Sequence, residues 1–107
     1  MYDLIYLESL MGSKAAAQKF IRIIIRDAPQ LVADIQKHCE QNQYESLSIS
    51  AHSLKTQFNY IQSKALAHIA LTLETPDTLR NEELNQLISQ LSDSVTTLVD
   101  QLKLEVK

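Results

Sequence analysis

Apolar residues recur every three or four positions along most of the chain, which is the spacing of one face of an α-helix. Each series is long enough to form a continuous apolar stripe with polar residues on the opposite side. The pattern therefore predicts four helices that each need a partner surface. In chain order, the predicted stripes are Ala17, Phe20, Ile24, Ala28, Leu31 and Ile35; Tyr44, Leu47, Ala51, Leu54, Phe58 and Ile61; Leu66, Ile69, Ala70 and Leu73; and Leu84, Ile88, Leu91, Val95, Leu98 and Leu102.

Short polar residues and a glycine mark several predicted helix ends. Asp3 is placed to cap a short first helix, and Gly12 to end it in a left-handed conformation. Ser13 and Ser63 occupy the cap positions of the second and fourth predicted helices, and Asn42 suits a left-handed position in the break at 41–43.

The two prolines lie in different contexts. The apolar stripe stays in phase through Pro29, which predicts one helix over about 14 to 41 with a kink at the proline. Two helices that meet between Asp27 and Pro29 also fit this pattern. The second proline belongs to the break at 75–77, after which a last helix begins somewhere before Leu84.

Four stripes with short connections would all be exposed unless they face one another, so an all-α antiparallel four-helix bundle with a short extra N-terminal helix is predicted. An elongated coiled coil fits less well, because breaks near 42, 62 and 76 divide the pattern. The 107 residues include one glycine and two prolines, too few for a protein built from hairpin turns. A single domain over 1–107 is expected.

Charge and composition exclude several classes of function. The formal net charge is −3 and there is no basic run, so neither nucleic acid nor an anionic membrane is an expected partner. No apolar stretch approaches the roughly 20 residues that span a bilayer, and no signal peptide is visible. The single cysteine cannot form an internal disulfide, which is compatible with the expected cytoplasmic location.

Most residues of chemical interest have a simple structural interpretation. His38 and His68 lie near apolar positions on different predicted helices, and Cys39 is best interpreted as a small half-buried hydrophobe. These residues and His52 show no recognised metal spacing, so no metal site is expected. Glu82 and Glu83 are adjacent near the predicted start of the last helix, where negative side chains interact favourably with the helix dipole. There is no glycine-rich phosphate loop, which argues against a stand-alone kinase, and a carrier protein is expected rather than a stand-alone enzyme.

His52 is the exception. It follows Ala51, which belongs to the stripe of the third predicted helix, and its helical neighbours include Ser48, Ile49 and Lys55. A mostly polar strip beside an apolar stripe predicts an imidazole at the edge of the bundle, with its tip open to solvent and Ile49 as a docking contact. A neutral imidazole offers a ring nitrogen as a nucleophile.

The run Ala51-His52-Ser53-Leu54-Lys55, with Ile61, Leu66 and Leu73-Glu74 after it, resembles the histidine phosphotransfer (HPt) domains of bacterial phosphorelays. The likeness covers most of the chain, because Leu4, Leu7, Gly12, Phe20, Pro29 and Leu31 also fit the family pattern. The resemblance implies a helical bundle in which His52 is the phosphoacceptor. It implies that Lys55 is the neighbouring cation, and that receiver domains and hybrid histidine kinases are the partners, with Mg²⁺ held by the receiver.

Family members usually have glycine directly after the lysine, a small residue three positions further on and glycine again three beyond that, where this chain has Thr56, Asn59 and Gln62. The side chains of Thr56 and Asn59 lie on the face of His52, where they either crowd an approaching receiver or donate hydrogen bonds to a phosphoryl group. The main hypothesis is a monomeric phosphorelay carrier that uses His52, Lys55 and Asn59. The alternatives are a non-catalytic module that binds a receiver or kinase, and a structural bundle that oligomerises.

Overall fold

The helices predicted from the pattern all form. The computed structural model describes residues 2–106, which contain five α-helices and, within that range, no strand. A single 3-10 turn, Pro76–Thr78, connects the last two helices. The all-α prediction is confirmed. The helices are α1 (Leu4–Met11), α2 (Lys14–Glu40), α3 (Tyr44–Tyr60), α4 (Lys64–Leu73) and α5 (Asn81–Lys103).

The four longer helices form an up-and-down bundle. Helix α3 packs between α2 and α4, and α5 closes the ring by packing against both α2 and α4. The connections at 41–43 and 61–63 are too short for anything except a reversal, so neighbouring helices are antiparallel. Helix α1 lies against α2. Helix α3 therefore lies diagonally opposite α5 in a body of 42 × 20 × 20 Å.

The bundle is held together by the apolar stripes, which meet along one continuous core. Burying a leucine or phenylalanine side chain stabilises a fold by about 1.5 to 3 kcal/mol, so the fully buried residues dominate the stability. Each of the five helices contributes at least one of them. The largest are Phe58, Leu7, Ile24, Ile35, Leu47, Leu54, Ile61, Leu73, Leu84, Leu91, Leu98 and Leu102.

The buried face of helix α2 differs from the predicted stripe at two positions. Ile21 and Val32 are buried, whereas Phe20 and Leu31 lie half-buried at the edge of the core, so the buried face is rotated slightly from the predicted stripe. The Phe20 ring packs edge-on against the ring of Tyr60, with 5.1 Å between centroids. An aromatic contact at the rim explains why a large apolar residue remains there.

Pro29 lies inside α2 rather than between two helices. The helix is continuous from Lys14 to Glu40, so the alternative of two helices is wrong. Pro29 is exposed while the preceding Ala28 is fully buried, so its ring faces solvent and the missing backbone donor is on the outer side. Water can satisfy the carbonyl that the proline leaves without a partner there.

Two of the predicted side-chain caps form and one does not. Asp3 accepts a hydrogen bond from the Tyr6 N–H at 3.0 Å, and Ser13 accepts one from the Ala16 N–H at 3.1 Å. Ser63 occupies the cap position of α4, but its hydroxyl is buried and makes no capping bond. A serine directly before a helix is therefore not sufficient for a side-chain capping bond.

The left-handed positions at the helix ends are confirmed at Gly12, with φ of 86°, and at Asn42, with φ of 56°.

We expect Gly12→Ala to lower the free energy of unfolding by about 1 kcal/mol, because an L side chain is disfavoured at this φ. No atom lies within 4 Å of the added Cβ, so a steric clash is excluded as the cause. Urea denaturation would measure the change. Asn42→Gly is the control, and a loss of stability of the same size there would contradict the explanation.

Candidate functional site

His52 lies in the middle of α3 on the outer surface of the bundle. Its neighbour Ala51 is fully buried, as is Leu54. The burial of these two side chains fixes the rotation of the helix about its axis. The His52 side chain is consequently 64 % exposed. The predicted exposure of the imidazole is confirmed.

Glu74 links the imidazole to α4. It directly follows the last residue of α4, and its side chain points back across α3. One carboxylate oxygen, Oε1, lies 2.5 Å from Nδ1 of His52, and the other, Oε2, accepts a hydrogen bond from Nζ of Lys55 at 2.7 Å. The Ser48 hydroxyl donates to the Glu74 main-chain carbonyl at 2.6 Å. Three side chains of α3 thus hold one residue at the end of α4.

The protonation state of Glu74 determines which ring nitrogen of His52 is free. Partial burial by itself would raise the pKa of Glu74, but the hydrogen bonds from Lys55 and His52, together with their charges, outweigh it and lower the pKa below the ordinary value of 4.5. The carboxylate is therefore ionised at neutral pH and can only accept hydrogen bonds. Nδ1 of His52 must carry the proton, and the lone pair of the neutral ring belongs to Nε2.

Lys55 is not free in the solvent beside His52. Its side chain is 23 % exposed, and its ammonium group is paired with Glu74 rather than directed away from the protein. The structure therefore brings His52 and Lys55 together through a carboxylate that lies between them. In this arrangement Lys55 acts on the imidazole indirectly, by stabilising the ionised form of Glu74.

Thr56 and Asn59, the polar residues that follow His52 on its side of α3, differ in their hydrogen bonding. The Thr56 hydroxyl donates to the main-chain carbonyl of His52 at 3.1 Å, so the proton of this hydroxyl is already used within the helix. Asn59 is exposed almost two turns further along α3. Among residues 2–106, no hydrogen bond joins its side chain to His52, Lys55 or Glu74.

The remaining histidines and the cysteine lie away from this cluster. Nδ1 of His38 is 3.2 Å from Oε1 of Gln43, and His68 is exposed on α4. Partial burial, with a smaller effect from Glu40, raises the pKa of the Cys39 thiol, which makes it a weak nucleophile. Residues 2–106 contain no group of three potential metal ligands. No helix in this range is long and apolar enough to cross a bilayer.

Comparison with known proteins identifies the family. The sequence model of the Hpt domain matches residues 19–105, a range that includes His52, Lys55 and Glu74. The chain belongs to the Hpt domain family. Such domains are phosphotransfer carriers in the phosphorelays of two-component signalling, which is the general role of this chain. No curated protein and no solved structure matched the chain.

Gln62 shows why a glycine suits this position in the family. Its φ is 57°, a left-handed conformation that glycine adopts without steric cost. The Gln62 side-chain amide donates to the main-chain carbonyl of Asn59 at 3.1 Å, at the end of α3. The main-chain N–H of Gln62 donates to the same carbonyl at 3.1 Å, so the side chain adds a second hydrogen bond at the end of the helix. The substitution thus changes the α3–α4 turn and not the surface next to His52.

Glu74 is the residue of this cluster that the sequence pattern did not single out. It appeared only as the end of the apolar pattern Leu73-Glu74, because helical periodicity describes one helix at a time. A signal was nevertheless present: His52 lies ten residues before Gln62 and Glu74 twelve residues after it. In an antiparallel helical hairpin, residues at similar distances from the turn lie side by side.

The Glu74 interactions predict a pH dependence of stability. The pKa of Glu74 is lowered in the folded state, so its contribution is present above pH 4.5, the ordinary value, and is lost as the pH falls through the lowered pKa. We expect the wild type to exceed Glu74→Gln in unfolding free energy above pH 4.5, with the difference shrinking below it. Chemical denaturation from pH 7 to pH 3 would measure this, with the exposed Glu82→Gln as control. A constant difference across this range would show that the ion pair contributes nothing.

Proposed function

We propose that this chain is a phosphorelay intermediate in which Nε2 of His52 accepts a phosphoryl group from an aspartate of one receiver domain and passes it to an aspartate of another. The observation that carries the proposal is the His52–Glu74 contact at 2.5 Å, together with the exposure of the ring. Because Nδ1 donates its proton to the Glu74 carboxylate, the nucleophilic lone pair is on Nε2, the ring nitrogen on the far side from Glu74. That nitrogen belongs to an open surface that another protein can approach.

The transfer needs little from the chain besides this arrangement. The Nε2 lone pair attacks phosphorus, an N–P bond forms, and the bond between phosphorus and the aspartyl oxygen breaks, which returns a carboxylate to the receiver. The ring becomes more positive as the bond forms. Glu74, which accepts the Nδ1 proton in a hydrogen bond, stabilises that charge. The second transfer is the same reaction in reverse, with a different receiver.

Lys55 and Asn59 have separate proposed roles. Lys55 keeps Glu74 ionised and fixes the position of its carboxylate, so it is a positioning residue. Asn59 lies exposed on the same side of α3 and offers an amide to the phosphoryl group or to the receiver. Only the first of these roles has a hydrogen bond in the structure to support it.

The partners follow from the same reaction. The phosphodonor is the receiver of a hybrid histidine kinase, and the acceptor is a response-regulator receiver. Mg²⁺ belongs to the receiver's acidic pocket, and this chain contributes no cofactor. We further propose that the chain acts in the cytoplasm. We propose that it is a monomer, because within residues 2–106 the apolar stripes of its four longer helices are buried against one another in one core.

A second candidate is a non-catalytic Hpt-like module that binds a receiver or a kinase without accepting phosphate. The exposed Thr56 and Asn59 favour it, because both add bulk to the face of His52 where the family usually has small side chains. This candidate predicts receiver binding that does not depend on the imidazole.

His52→Gln tests the phosphoacceptor. We expect the wild type to be labelled when it is mixed with Mg²⁺ and a phosphorylated receiver, and the variant to show no label, since an amide nitrogen is not a nucleophile of this kind. His68→Gln, on an exposed position of α4, is the matched control and should be labelled normally. Equal labelling of His52→Gln and the wild type would end the proposal. Binding without any labelling of the wild type would favour the second candidate.

Glu74→Gln and Lys55→Met test the positioning network. The amide that replaces the carboxylate in Glu74→Gln can still accept from Nδ1 but carries no charge, so we expect transfer to His52 to slow by about tenfold to a hundredfold. Lys55→Met should slow it less, because Glu74 remains. Rapid-quench measurement of the phosphohistidine at saturating receiver separates this chemical effect from binding. If both variants transfer at the wild-type rate, the negative charge of Glu74 beside Nδ1 has no role in catalysis.

A further inference from the structure

A groove lies beside His52, between the first half of α3 and the 3-10 turn Pro76–Thr78. Its volume is about 440 Å³, and it shares Glu74 with the phosphoacceptor site. The lining residues are Tyr44, Glu45, Ser48, Ile49, Glu74, Pro76 and Asp77.

The groove continues the surface that carries the imidazole. Ile49 and Glu45 precede His52 by three and seven residues, so both lie on its side of α3, with Glu45 about 10 Å away along the axis. A protein that reaches Nε2 of His52 over this side of α3 contacts them as well. Asp77 supplies the opposite wall.

The groove has an exposed apolar side chain between two unpaired charges. Ile49 is 63 % exposed, although most aliphatic residues of the chain face the core. Glu45 and Asp77 are both exposed, and within residues 2–106 neither forms an ion pair or accepts a side-chain hydrogen bond. Glu74 differs, because Lys55 and His52 already pair with it. No basic residue lines the groove, so it carries two uncompensated negative charges.

On the basis of the proposed function, we infer that this groove, which we call the acidic groove, selects the receiver. The geometry points to a docking face that carries an aliphatic side chain, which packs on Ile49, flanked by lysine or arginine side chains that pair with Glu45 and Asp77. Complementary charge at the rim of an interface mainly accelerates encounter and excludes wrong partners. The acidic groove would therefore determine which receivers reach His52, without changing the transfer step itself.

Charge reversal tests the inference. The probes are the receiver domains encoded in the same genome, each phosphorylated with a small-molecule phosphodonor and Mg²⁺, with transfer to His52 followed against receiver concentration. For the receiver that labels the wild type most efficiently, we expect Glu45→Lys/Asp77→Lys to raise KM about tenfold and to leave the maximal rate unchanged. Ile49→Ala should raise KM in the same way. Higher salt should raise the wild-type KM and have little effect on the reversal variant's KM.

The matched control is Asp93→Lys/Asp100→Lys. Both residues are exposed on α5, diagonally opposite α3, and this variant changes the net charge by the same amount. We expect its KM to equal that of the wild type. Thermal unfolding of each variant confirms that it is folded, and Glu45→Gln/Asp77→Asn, a milder change, should shift KM in the same direction by a smaller factor.

The outcomes separate this inference from the proposed function. If His52 is labelled with the same KM in the groove variants as in the wild type, the inference is wrong and the phosphorelay proposal stands. An equal increase in KM for the α5 control would also overturn it, because net charge and not the groove would then be responsible. If no receiver labels the wild type, the proposed function fails and the inference fails with it.

Discussion

The structure depends on the burial of one face of α3. Leu47, Ala51, Leu54, Phe58 and Ile61 are all fully buried, so the helix cannot rotate without exposing a large apolar surface. This constraint fixes the direction of every other side chain on α3. His52, which directly follows a buried alanine, therefore faces outward, and its imidazole is exposed to solvent.

Because the buried face of α3 sets the orientation of His52 and Lys55, the site requires few residues from other parts of the chain. Once α3 is fixed, a single residue from the end of α4 completes the arrangement, because the two oxygens of Glu74 contact His52 and Lys55 at the same time. The shared carboxylate assigns the imidazole tautomer, neutralises a half-buried ammonium and joins two helices. It also makes the pKa of Glu74 a property of the α3–α4 packing and not of Glu74 alone.

The positions at which this chain departs from the family have different physical consequences. Gln62 lies in a left-handed turn and affects the end of α3, whereas Thr56 uses its hydroxyl within the helix and Asn59 leaves its amide exposed. Of these three residues, Asn59 is the one whose side chain forms no hydrogen bond within residues 2–106. On the other side of His52, the acidic groove adds a charged and apolar surface next to a site whose own charges are paired.

The sequence alone determined the helices, their approximate ends, the bundle and the exposure of His52, because helical periodicity is local and each apolar stripe must be buried. It did not determine the burial of Val32 in place of Leu31, the failure of Ser63 to cap α4, or the contact of Glu74 with His52 and Lys55. These features depend on how far one helix is rotated and shifted against another. Only the tertiary structure sets those offsets, because they follow from the packing of side chains on different helices and not from spacing along any one of them.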